Sequence, residues 1–95
     1  VGCVAMHTTL REFKAKYLAR LLNLKKQLLE KYADRRVRVE YVCDTLAEKL
    51  QRLRTFTLPD YLSTLYNSIR EFKELEALIP SEEEINDLLK SDQDL

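Results

Sequence analysis

The chain has 95 residues, 45% hydrophobic and 34% charged, with a net charge of zero. That is one domain at most, with little room for an enzyme pocket; it is too apolar for a disordered tail and more charged than an average globular domain. Gly2, Pro59 and Pro80 are its only glycine and prolines, so the turns that a β-sheet of this size needs have few residues to make them, and the expected class is all-α.

In chain order, residues 1–8 read as an N-terminal end or flexible segment. The run Val1-Gly2-Cys3-Val4-Ala5-Met6 has neither the charged start nor the apolar length of a signal peptide or membrane span. Gly2-Cys3 departs from a lipidation signal because Met6 stands where Ser or Thr is required. Three helix starts then follow, each a hydroxyl with a carboxylate three residues later to satisfy orphan backbone donors: Thr9 with Glu12, Thr57 with Asp60, and Ser81 with Glu84. Pro59 fits a first helical turn and Pro80 sits just outside Ser81. The expected segments are a basic helix over 9–56, a second helix over 57–79, and a short acidic helix and tail over 80–95.

The long helix would extend roughly 70 Å. Leu10, Tyr17, Leu21, Leu24 and Leu28 alternate at three- and four-residue spacing with Lys14 in one slot, which is the seam of a left-handed coiled coil. Tyr32 follows Leu28 by four rather than three, and the pattern resumes through Val39, Val42, Leu46, Leu53 and Phe56, with Arg35 and Lys49 at polar positions. One extra residue of this kind predicts a stutter within a continuous helix. The second helix repeats the pattern with Leu58, Leu62, Leu65, Ile69, Phe72 and Ile79, widened by Tyr61, Tyr66, Leu75 and Leu78. It is too short to cover the first, so the expected architecture is a long parallel coiled coil followed by shorter helices in a small bundle. The chain is then its own partner in a homodimer, with Leu10, Tyr17, Leu21, Leu24, Leu28, Tyr32, Val39, Val42, Leu46 and Leu53 as the dimer seam.

Charge is segregated. Residues 1–54 hold thirteen Lys or Arg against six acids, and residues 55–95 hold three against ten, giving +7 and −7. A rod carrying that excess would attract a polyanion, through Lys14, Lys16, Arg20, Lys25, Lys26, Arg35 and Arg36. The alternatives are a solvated coiled-coil flank in a hetero-oligomeric helical bundle without polyanion binding, and a nucleic-acid-binding coiled coil, although no nucleic-acid motif is present. His7 with Cys3 lacks further metal ligands, Cys43 reads as a packing group, Glu82-Glu83-Glu84 suits a helix N-terminus, and the tyrosines read as core or rim. Neither a catalytic site, a metal nor another cofactor is expected. The cysteine usage suits a reducing compartment, cytoplasm or nucleus, and no membrane association is expected.

The basic heptad stretch from Leu10 to Val42 resembles the microtubule-binding coiled coil of a kinetoplastid-type kinetochore subunit and, more broadly, cytoskeleton-linked scaffold proteins. The resemblance covers about half of the chain. It implies a dimeric scaffold attached to microtubules through the cations named above, and it implies nothing about the acidic second half.

Overall fold

A computed structural model describes residues 10–93, and all regular structure among them is helical. Four α-helices follow in order: α1 (Leu10–Lys31), α2 (Arg36–Gln51), α3 (Leu58–Ile69) and α4 (Glu82–Gln93). Short 3-10 segments join them at Ala33–Arg35, Thr55–Thr57 and Lys73–Leu78. The segment 1–8 and the Thr9 part of the first capping box lie outside the described residues.

The helix expected over 9–56 does not run through. It breaks after Lys31, and α2 returns alongside α1 as an antiparallel hairpin: Lys14 Nζ donates to the Gln51 carbonyl at 3.1 Å, and Lys25 pairs with Asp44 at 2.8 Å. Tyr32 (φ −114°, ψ 52°) and Arg35 (φ −122°, ψ 33°) leave the helical well, and the extra residue between Leu28 and Tyr32 is the start of a turn rather than a stutter. Neither glycine nor proline marks the turn; tertiary contacts hold it. The Tyr32 ring meets Phe72 edge-on at 5.2 Å, the Arg35 guanidinium lies 5.1 Å from the Phe72 centroid, and the Tyr32 hydroxyl donates to Glu74.

Energetics favour this arrangement. A break forfeits a few helical hydrogen bonds at about 0.5–1.5 kcal/mol each, partly remade by Arg35 N–H to the Tyr32 carbonyl at 2.8 Å. In exchange the stripe is buried within one chain, avoiding the estimated ~4–15 kcal/mol cost of bringing two chains together. Tyr17, Leu21, Leu28, Val39, Val42, Leu46 and Leu53 are buried in the chain's own core, while Leu10, Leu24 and Tyr32 are partly buried against it. The expected dimer seam is therefore core within a single chain, and the requirement that a second copy cover it disappears. Phe56, expected on the same stripe, is exposed (77%).

The second element also divides. After α3 the chain becomes extended at Phe72 (φ −131°, ψ 97°) and continues as the 3-10 segment. Phe72, Leu75 and Leu78, all fully buried, recur every three residues, which is the period of a 3-10 helix and keeps all three on one face. Ile79, expected on the stripe, lies at the surface. Thr57 stands at the N-cap of α3 but makes no side-chain cap; its hydroxyl exchanges hydrogen bonds with the backbone of Arg54, and Asp60 pairs with Lys49 at 2.7 Å. At α4 the capping box does form. Glu84 N–H donates to Ser81 Oγ at 3.2 Å, and the Glu84 carboxylate accepts from Ser81 N–H at 3.4 Å.

The result is two layers, the α1–α2 hairpin and the α3, 3-10 and α4 segments laid over one of its faces. Its extents are 51 × 26 × 19 Å, the smallest close to two helix diameters.

Candidate functional site

The cations expected to form one polyanion-binding surface are dispersed by the fold. Lys16 pairs with Glu84 at 3.1 Å and Arg20 lies 4.9 Å from the Tyr17 ring, both toward the second layer. Lys14 and Lys25 reach α2, as described above. Arg35 and Arg38 share Glu71, at 2.9 and 2.7 Å, and Arg36 pairs with Glu40 one turn on at 3.2 Å. Of the seven, Lys26 alone has no hydrogen bond, ion pair or ring contact among the described residues. Lys31 with Glu74 and Lys49 with Asp60 complete a set of bridges joining the basic half of the sequence to the acidic half. The bonds from Arg38 hold Glu71, and those from Lys31 hold Glu74, below the ordinary carboxylate range.

Glu84 is the most built of these positions. Burial pushes its carboxyl up, but hydrogen bonds from Tyr17 and Lys16 and from the backbone at Ser81 outweigh this and leave it below the usual range. Tyr17, buried with its ring tilted 41° to that of Phe13 at 4.5 Å, donates to Glu84 at 2.7 Å, and burial together with that bond raises its phenol to about 12. One carboxylate thus caps α4 and ties it to α1. Phe13, fully buried, fills the core beside the slot that the seam pattern assigned to Lys14. Its position four residues before Tyr17 was the available signal.

Among the described residues no three His, Cys, Asp or Glu side chains gather as a metal site, and no helix is long and apolar enough to cross a membrane. Cys43 is buried in the hairpin, and burial raises its thiol to about 11, so it holds little of the thiolate that a nucleophile needs. His7 and Cys3 fall outside the described residues.

What the fold leaves open is the hairpin face turned away from the second layer. At about 100° per residue, Ala15, Leu18, Leu22 and Leu29 lie on the side of α1 away from Lys16 and Lys31, which bind the second layer. Leu22 is 56% exposed, Leu18 and Leu29 are partly buried, and across from them Ala47 of α2 is partly buried over Cys43 and Leu50. A shallow groove of about 500 Å³ runs into this face between Ala15 and Leu18 on α1 and Leu50 and Gln51 on α2. Its two helices differ in charge: α1 carries seven cations against two acids, α2 three against three, and Lys25 reaches across the face to Asp44 at 2.8 Å. The sequence signal was a second heptad set, 15, 18, 22 and 29 with Lys25 in the slot between the last two, that the seam pattern overshadowed. At the hairpin tip, Val37 (83% exposed) and Tyr41 (60%) flank a second groove among Arg35, Arg36 and Arg38. In comparisons with known proteins, no family model, curated protein or solved structure matched the chain.

Proposed function

We propose that this chain is a non-enzymatic helical interaction module, a scaffold element whose working surface is the open face of the α1–α2 hairpin. The observation that carries the reading is Leu22, a large apolar side chain more than half exposed in an apolar row that Lys25 alone interrupts, with an adjoining groove. A row of this kind, rimmed by charges, is the composition of a protein-binding surface rather than of a solvated helix. Polyanion binding, whether to microtubules or nucleic acid, has less support, because six of its seven named cations already have carboxylate, carbonyl or aromatic partners within the chain.

Photo-crosslinking tests the reading. A crosslinker at Leu22 should give discrete protein adducts in cell extract, whereas one at Asn23 or Glu30, on the outer edge of α1, should not. Equal yields from these positions would refute it, and adducts to nucleic acid or tubulin centred on Lys26 instead would restore the polyanion reading.

A further inference from the structure

We infer that the occupant of the open face is a second copy of this chain, packed hairpin on hairpin about a two-fold axis parallel to the helices. This rests on the interaction-module reading and names its partner. Two features of the face select that symmetry.

The first is charge. An axis along the hairpin sets α1 of one copy against α2 of the other in antiparallel directions, so the strongly basic helix of each faces the charge-balanced helix of its neighbour. A perpendicular in-plane axis would set α1 on α1, two helices each with seven cations against two acids, which like-charge repulsion disfavours. The Lys25–Asp44 bridge, 2.8 Å long, brings those two residues to nearby heights along the hairpin. Rotation about the long axis preserves height, so each bridge meets its own copy with signs reversed, making a ring of four alternating charges. Lys26 then comes within reach of Glu40 or Asp44 of the other copy.

The second feature is shape. Counting antiparallel from the Lys25–Asp44 level, Ala47 stands near the height of Leu22, within about a turn. The same rotation therefore places the projecting Leu22 of one copy over the small Ala47 of the other, twice, with Leu18 and Leu29 flanking. Large side chains over small ones are what close packing of two helical layers requires. The paired length is set by α2, 16 residues or about 24 Å, and two helices roughly 10 Å across give on the order of 500 Å² per copy. About 1,000 Å² in total lies at the lower edge of specific interfaces, so the dimer is expected to be reversible, with a micromolar dissociation constant.

Sedimentation of the full chain from about 5 to about 500 µM, which brackets such constants, tests the inference. A monomer–dimer equilibrium is expected. Leu22→Asp should weaken it at least ~10-fold, since each copy would bury a carboxylate, while helicity and the melting temperature of the dilute monomer stay unchanged because Leu22 is exposed in the single chain. Lys26→Glu should weaken it several-fold, and adding Glu40→Lys should recover most of that loss. A chain that stays monomeric throughout, or a dimer indifferent to Leu22→Asp, overturns the inference. If the chain is monomeric yet Leu22 crosslinks to a different protein, the second copy is refuted and the module reading stands; if neither assay gives a product, both fail.

Discussion

Replacing Glu84 with alanine asks whether one carboxylate holds the last helix in place. α4 has 12 residues, a length at which an isolated helix is marginal in water, so it depends on what docks it. Its apolar anchor is Leu88, aided by the partly buried Ile85. Glu84→Ala leaves the Tyr17 hydroxyl, in a residue 1% exposed, without its acceptor, at about 1–3 kcal/mol. It also removes the reciprocal half of the capping box, about 0.5 kcal/mol on the scale of cap substitutions, and a half-exposed bridge to Lys16 worth about 0–1 kcal/mol. The expected total is about 2–4 kcal/mol, a fall in melting temperature of roughly 10–30 °C for a domain of this size. Thermal and urea unfolding followed by far-UV circular dichroism read this out, and a cycle with Tyr17→Phe isolates the hydroxyl. In the Tyr17→Phe background the same change should cost only about 1 kcal/mol, because no buried donor is stranded. Strictly additive costs, or a shift under about 2 °C for Glu84→Ala alone, would refute the assigned role.

Spin labels at Ala15→Cys and Gln51→Cys, with Cys3→Ser and Cys43→Ala, should report backbones about 10 Å apart, as adjacent helices are. A continuous helix would separate them by about 54 Å, so the measurement decides between hairpin and rod. Phe72→Ala should destabilise by about 3–5 kcal/mol and Ile79→Ala by about 0.5 kcal/mol or less in urea unfolding, although a heptad stripe would rank them together. Glu71, Glu74 and Glu84 are all depressed below the reference value of 4.5, so their contribution is fully present above about pH 4.5 and is lost as pH falls through their folded-state values. Acid titration should therefore loosen the second layer from the hairpin, seen as a falling melting temperature below that pH, and a flat profile would contradict the bridges.

Helix content and the breaks before α3 and α4 were legible because Pro59, Pro80 and the Ser81–Glu84 box are local chemistry. The turn at 32–35 was not, because Tyr-Ala-Asp-Arg carries no breaker; its cause lies some forty residues away, in Phe72 and Glu74. A four-residue step in a three-four pattern reads equally as a stutter or as a turn, and only the existence of a nearby covering surface separates them. The 3-10 segment was hidden for a different reason. Phe72, Leu75 and Leu78 also fit the broad face of an α-helix, and spacing alone does not reveal that Phe72 turns extended to start a new period. The open face is masked in the sequence because the stronger set, led by Tyr17, Leu21 and Leu28, accounts for α1 by itself.

The segregation of charge along the chain has an intramolecular reading that the expected rod obscures. A parallel dimer would set a segment of +7 beside its own copy, and self-repulsion along the whole length would work against the seam. Folded as a hairpin under an acidic second layer, the same residues meet opposite charges at Lys16–Glu84, Lys31–Glu74, Arg35–Glu71, Arg38–Glu71 and Lys49–Asp60. Exposed pairs of this kind each add at most about 1 kcal/mol, so they do not account for the fold's stability. Their effect is on choice: any arrangement that pairs the basic half with itself loses several favourable contacts and gains several repulsive ones, a difference that compounds over the set. Arg36–Glu40 and Lys25–Asp44, by contrast, lie within the hairpin, whose α1 carries seven cations against two acids and whose α2 carries three against three. The same rule of choice therefore passes from folding to assembly, where it admits α1 against the α2 of a second copy and disfavours α1 against α1.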